Sequence, residues 1–578
     1  MTGPAAPKDP EKARPFFYIL KDKDIFGERQ KDGTGIQFIY ESDGRLINSA
    51  QITGNVTDKE ELTLLETVEG FGRLVHSIGV SVETDRPEET AEFVFQMYGK
   101  KDLYGGGTNL TASLKCDGME HRIYLSDYRW TEDDHVPGQI KILFAAPERM
   151  GKVSVRLFLN DGYEAPPEEE DLVIDMHSEE YCGMISRSLL QLGNPYRIRK
   201  AIEKSKAGKE VTLAYIGGSI TQGAGAIPIH TECYAYKSFQ LFQNRFSTQN
   251  NVRFIKAGVG GTPSELGMIR FDRDVLREEE RPDIVVIEFA VNDEGDETKG
   301  VCYESLVRKV LKLPWKPAVV LLFSVFANDW NLQERLRPVG DLYDLPMVSI
   351  RDAVTPQFSL KCGEGRILSK NQFFYDIFHP NNIGHTIMAD CLQYLFERCD
   401  AAEPARVGTF VEGMTEEQIL SEKLFGPAVI GADFERIFLL DKKNRYVGAK
   451  IRAGGFTSTD MELQSVEMDG NLTQTPEFPY NWMYDGSRLQ MPGFEMEITC
   501  KSLFLIFKDS GEMDVGKANV FVNDVYCMTA DPHKNNWLHC NAVLLFWETE
   551  SRSHKVRIAV TEEDRNKKFT ILGFGYTI

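Results

Sequence analysis

This chain is short of positive charge. Its 578 residues include 66 Lys and Arg against 87 Asp and Glu, a formal net charge of −21. Such a surface repels a phosphate backbone or an anionic bilayer over most of its area, which argues against nucleic acid or membrane as the main partner. Long apolar runs are also missing. The longest, Ala318 to Ala327, is about half the ~20 residues a membrane helix needs. The opening stretch, MTGPAAPKDPEKARPFFYILKDKD, has no signal-peptide core. None of the ten cysteines forms a C-x-x-C pair, and none sits with histidine at zinc-finger spacing, so no cysteine-based metal site is expected. Reduced thiols and the missing signal core make the cytoplasm the expected location. There is no internal repeat and no low-complexity tract.

What remains is ordinary globular composition, 42% hydrophobic and 26% charged, in a chain long enough for two to four domains. Residues 1–185 carry short alternating runs such as GIQFIY, TAEFVFQMY, QIKILFAA and VSVRLFLN between turn residues, the pattern of a β-sandwich. Residues 186–405 change character. A helix is expected from Asn194-Pro195 to about Gly208. Four apolar runs follow, VTLAYIG, VRFIKAG, DIVVIEFA and AVVLLFSVF, with helical patterns between them. That alternation implies an α/β fold with a parallel sheet covered on both faces. Residues 406–432 read as a linker with a helix, and 433–578 as a second β-sandwich.

The chemistry-bearing residues cluster where the apolar runs end, which in an open α/β sheet is where ligands bind. The first run ends in Gly217-Gly218-Ser219, the second in Gly258-Val259-Gly260-Gly261, the third in Asn292-Asp293. Near the end of the region comes Asp376-Ile377-Phe378-His379-Pro380. An Asp three residues before a His can hold one ring nitrogen and leave the other to take a proton from serine. Each piece alone is commonplace: a capping Ser, loop glycines, a turn Asn, a loop His. The segment is neither G-x-S-x-G nor a P-loop.

Taken in order, GGS, GG, ND and DxxH resemble the SGNH hydrolase superfamily, the GDSL-type esterases and lipases, over roughly residues 211–400. The resemblance implies a flavodoxin-like domain. It also implies Ser219 as nucleophile, Asp376 and His379 completing a triad, an oxyanion hole made by Ser219, Gly261 and Asn292, and a mechanism that requires no metal or organic cofactor. Two positions depart from the family pattern: Gly218, where Asp is frequent, and Lys256, where Asn is frequent. The GGS variant with flanking β-domains is similar to bacterial esterases that remove acetyl groups from plant polysaccharides. It therefore implies an acetylated carbohydrate substrate, with the C-terminal sandwich as a candidate for recognising it. A lipase or thioesterase of the same superfamily, or a non-catalytic carbohydrate-binding protein, are the alternatives. Trp330 and Trp482 are the candidate sugar contacts, since aromatic faces pack on sugar rings. His230 is weighed as a rival base and read instead as a substrate-side or surface histidine. His385 is read as a packing or capping residue of the last helix, Asp293 as a loop brace, and Glu288 as a buried structural carboxylate that needs a partner.

Overall fold

A computed structural model describes residues 12–40, 45–54, 59–101, 105–168, 170–277, 279–402, 415–466, 475–487 and 491–578. The central region holds a six-stranded sheet in the order Leu189–Gln191, Met347–Ser349, Ala318–Phe323, Ile284–Glu288, Val211–Gly217, Val252–Gly258. Leu189–Gln191 is antiparallel to its neighbour and the remaining pairings are parallel. In chain order the parallel strands lie 2-1-3-4-5, a doubly wound arrangement whose switch point falls between Val211–Gly217 and Ile284–Glu288. Two strands at the Met347 edge are only three residues long, too short to stand out as apolar runs.

Alternation along the strands explains why the runs are apolar throughout. Leu213, Tyr215, Ile284, Val286, Val320 and Leu322 enter one core. Ala214, Ile216, Val285, Ile287, Val319 and Leu321 enter the other. Successive side chains point to opposite faces, so a strand covered on both faces has no polar positions to spare. The expected helix occupies Tyr196–Lys206, and Gly208 takes the left-handed conformation just beyond it. The final helix is Asn382–Ala401, its Asn381 side chain capping the Gly384 N–H.

The N-terminal region contains a four-stranded and a five-stranded antiparallel sheet. Residues of both, among them Ile78, Val80, Phe93, Phe95, Ile140 and Ile142, share one core. Helices Arg45–Gly54 and Val68–Leu74 lie in this region as well, and the strand-like pattern of the sequence did not announce them. Among the described residues, the C-terminal region holds one hydrogen-bonded network of eight antiparallel strands and a separate short pair, Ser465–Val466 with Thr475–Pro476. Its long strand Phe494–Asp509 alternates between two cores. Leu503, Leu505 and Phe507 face the region's own core, whereas Phe504 and Ile506 join the second core of the central domain. The C-terminal sheet is thus packed onto the α/β domain along a continuous apolar face.

Part of the expected linker, residues 403–414, lies outside the described residues. The helix expected there is Glu416–Phe425, and it is pinned to the central domain. Leu420 and Leu424 enter the second core, and Glu417 pairs with Arg197 at 2.8 Å. Among the described residues, no helix is long and apolar enough to cross a membrane.

Candidate active site

The fold brings Ser219, Asp376 and His379 together. The Val211–Gly217 strand ends at the switch point, and Ser219 opens the short helix Ser219–Gln222. Its Oγ lies 2.9 Å from His379 Nε2. His379 Nδ1 lies 2.9 Å from Asp376 Oδ2, while Asp376 Oδ1 accepts the N–H groups of Phe378 and His379 at 2.8 and 2.9 Å. With the carboxylate as acceptor, Nδ1 carries the ring proton and Nε2 is left to accept from the serine hydroxyl.

The Asp376–His379 loop is held at both ends. The Tyr375 N–H donates to the His379 carbonyl at 2.8 Å, and the Asn381 N–H to Phe373 at 2.8 Å. Support also comes from the N-terminal region. The buried Lys23 ammonium donates to the Phe374 carbonyl, and Tyr375 packs against the N-terminal core.

The glycines are explained by close approach. A Cβ on Gly218 would lie 2.1 Å from Asn292 Oδ1, and one on Gly217 would lie 2.2 Å from Thr221 Oγ1. Gly261 has φ +70°, and a side chain there would meet Trp537 and His539 at 2.9 and 3.0 Å. A Cβ on Gly260 would sit 3.9 Å from Ser219 Cβ, so this loop runs directly beside the serine.

Beneath the site is a layer of buried polar groups. Glu288 is fully buried and accepts hydrogen bonds from Thr221 at 3.1 Å and from Ser324. Burial raises its pKa, opposed by those hydroxyls and by the Gly218 N–H. Asp293 accepts from the Ser264 N–H and Oγ at 2.8 and 2.9 Å, tying the Asn292 loop to the loop that carries Gly261. Burial and the neighbouring Asp296 push its carboxyl well above the usual range. Lys256, also buried, donates to the Gln222 carbonyl at 2.9 Å and so braces the end of the serine-bearing helix. Arg270 is buried completely and donates to the Gly217 carbonyl at 2.9 Å. Sequence reasoning did not single it out, because an Arg in a helical pattern reads as surface.

His385 is structural. Its Nδ1 accepts from the Tyr234 N–H and its Nε2 donates to the Ala224 carbonyl, both at 3.1 Å. Burial lowers its pKa to about 3. His230 is half-buried on the short helix Ile229–Glu232.

The two tryptophans part company. Trp330 is half-buried and stacks on Phe326 with centroids 5.8 Å apart. Phe326 meets Phe378 edge-on at 5.0 Å, and Phe378 neighbours His379. Trp330 therefore ends an aromatic ridge that starts at the imidazole. Trp482, expected as a sugar contact, is instead buried in the C-terminal core against Phe494 and Phe574. The aromatic that the C-terminal region does bring to the site is Trp537. It is 45% exposed, beside His539 and over Gly261. Among the described residues no cluster of His, Cys, Asp and Glu could hold a metal ion.

Residues 215–387 match the model of the GDSL-like Lipase/Acylhydrolase family, and they hold Ser219, Gly261, Asn292, Asp376 and His379. The central region is of the SGNH superfamily. The chain is similar to the crystal structure of a two-domain esterase (CEX) active on acetylated mannans, with 24% identity and a TM-score of 0.55, over 68% of this chain and 98% of that one. The esterase co-crystallised with mannopentaose gives a TM-score of 0.54 at 24% identity, with the same coverage. At this identity the likeness concerns the fold. No curated protein matches the chain. Within the SGNH domain, Gly218 stands where Asp is frequent in the superfamily, and the contact with Asn292 leaves no room there for a side chain.

Proposed function

We propose that the protein is a serine esterase that removes O-acetyl groups from plant-type oligosaccharides or polysaccharides. The observation that carries this reading is the unbroken relay from Asp376 through His379 to Ser219, two contacts of 2.9 Å each, at the carboxyl ends of a parallel sheet.

In this mechanism His379 Nε2 takes the Ser219 proton as Oγ attacks the ester carbonyl. The negative charge of the tetrahedral intermediate is stabilised by the Ser219 and Gly261 N–H groups and the Asn292 amide. A donor worth ~3–4 kcal/mol to the transition state is typical of such sites. The Ser219 N–H lies in the first turn of its helix, where backbone donors have no intrahelical acceptor. Asp376 stabilises the imidazolium, which then protonates the leaving sugar hydroxyl. Water activated by the same imidazole releases acetate and restores Ser219. The chemistry uses only side chains and backbone of this chain.

Three features support a carbohydrate substrate. The ridge Trp330–Phe326–Phe378 leads away from His379, and Trp537 presents a second aromatic surface beside Gly261. Amphipathic rings of this kind suit sugar faces. The structurally similar esterase is active on acetylated mannans. In the same reading, residues 1–185 and 433–578 are β-sandwich domains around a catalytic domain of residues 186–405. The first braces the Asp376–His379 loop and the second borders the cleft.

Acetate release from a panel of acetylated mannan, xylan and other glycan oligosaccharides tests the reading. Ser219→Ala should abolish release and also remove covalent labelling by a fluorophosphonate, read as an intact-mass shift. Labelling that persists in the variant would place the nucleophile elsewhere.

A further inference from the structure

The loop that carries Gly261 is held from outside its own domain. Gln464 is buried at the seam between the central and C-terminal regions. Its Nε2 donates to the Gly260 carbonyl at 2.8 Å, and its Oε1 accepts from the Cys540 N–H at 2.9 Å. Because Cys540 supplies a backbone donor, the oxygen end of the amide must face it. The NH2 end is therefore the one aimed at Gly260.

The Gly260 carbonyl and the Gly261 N–H belong to one peptide unit. That unit is planar and trans, so the two groups point in opposite directions, and holding the carbonyl fixes where the N–H points. A hydrogen bond accepted by the carbonyl also polarises the amide and strengthens its N–H as a donor. With glycine on both sides, the peptide has no side chain of its own to fix its orientation.

The next peptide is held as well. His539 Nε2 lies 3.1 Å from the Gly261 carbonyl. Asn535 Nδ2 lies 3.1 Å from His539 Nδ1 and also donates to Asp509, which is fully buried. A donor facing Nδ1 puts the imidazole proton on Nε2, where it meets the carbonyl. The chain Asp509, Asn535, His539 thus ends on the peptide that follows Gly261.

We propose that Gln464 is a positioning residue of the oxyanion hole, and that with His539 it makes the C-terminal region set the direction of the Gly261 N–H. The proposal rests on the esterase reading above. It goes further in making the site depend on residues outside the SGNH domain.

The test is steady-state hydrolysis of p-nitrophenyl acetate by the full chain, a substrate too small to use extended contacts. Gln464→Leu should lower kcat about 10- to 100-fold, the scale expected when a catalytic group is misplaced rather than removed, with KM changed by less than about twofold. His539→Gln can offer an amide N–H to the Gly261 carbonyl and should keep more activity than His539→Phe. Gln464→Glu adds a signature that a packing role lacks. Its carboxyl donates to Gly260 when protonated and repels the carbonyl when ionised, so its kcat relative to wild type should fall as pH rises. A folded Gln464→Leu with wild-type kcat would overturn the proposal. If that variant does not fold, a flat Gln464→Glu ratio together with equal kcat for His539→Phe and wild type overturns it. A wild type that cleaves no ester overturns the esterase reading and this proposal with it, whereas an active wild type with unaffected variants overturns this proposal alone.

Discussion

Gly218 and Asn292 are packed so closely that a single methyl group on Gly218 would come within 2.1 Å of the Asn292 amide oxygen. The residue before the nucleophile therefore sets the seat of a proposed oxyanion donor. Gly218→Ala should displace that amide and lower kcat about 10- to 100-fold, with a smaller effect on KM. Asn292→Ala removes the donor itself and should lower kcat by roughly 10²–10³. The double variant should be no slower than Asn292→Ala alone, because both changes act through one group. Additive losses would mean that Gly218 matters for another reason.

Asp376→Asn tests the relay at its far end. An amide can offer His379 Nδ1 its NH2, which would favour the tautomer with the proton on Nε2. That nitrogen could no longer accept from Ser219 Oγ. A fall in kcat of about 10⁴ is the scale for this kind of error in a Ser-His-Asp site. Little change in the thermal midpoint is expected, since Asp376 is partly exposed. The same kcat in variant and wild type would remove Asp376 from the mechanism.

The parallel strands were legible because burial on both faces makes each one a continuous apolar run, and the site pieces were legible because each run ends in a turn. Met347–Ser349 and Leu189–Gln191 were not, since three residues carry no periodicity. The exchange of Trp482 for Trp537 has a different cause. Both lie in turn-rich aromatic stretches, NWMYDG and NNWLHC, and only distant partners decide between them. Trp482 sits on a strand paired with Phe569–Thr577 and closes a core, whereas Trp537 lies in the loop just before the long strand His539–Val560. Gln464 offered no signal. A neutral amide roughly 200 residues from the loop it holds looks like any surface glutamine. Lys256 was noticed as a departure, but its bond to the Gln222 carbonyl required the fold.

His385 predicts a pH dependence of stability. Its folded pKa is about 3, against ~6.5 for a free imidazole. Above pH ~6.5 the ring is neutral in both states and its contribution is complete. Between pH 6.5 and 3 the unfolded chain takes up a proton that the folded chain does not, so stability falls with decreasing pH by at most ~1.4 kcal/mol per unit from this group. Other buried groups titrate in the same window, so the comparison to make is wild type against His385→Gln. In urea unfolding at pH 4, 5 and 6, the variant should be less stable overall and should show a shallower acid slope. Parallel slopes would mean that His385 does not stay neutral in the folded protein.

The aromatic residues give the sharpest test of substrate class. Trp482→Ala should cost about 3–5 kcal/mol of stability, as loss of a large core side chain does. Where it still folds, it should reduce activity on p-nitrophenyl acetate and on acetylated oligosaccharides alike. Trp330→Ala and Trp537→Ala should behave differently. Both residues are partly exposed, one at the end of the ridge from His379 and one over Gly261. A small activated ester needs only the triad and the oxyanion hole. An acetylated oligosaccharide has further rings whose binding can be used at the reacting carbonyl, so losing a sugar platform should reduce kcat as well as affinity. Each substitution should therefore lower kcat/KM for the oligosaccharide by about tenfold or more, the scale of one lost aromatic contact of ~1.5 kcal/mol, and leave kcat for p-nitrophenyl acetate within about threefold. If Trp537→Ala instead lowers both substrates equally, its role is to pack the Gly261 loop. If neither substitution affects the oligosaccharide, the substrate lies elsewhere in the cleft and the carbohydrate assignment loses its structural support.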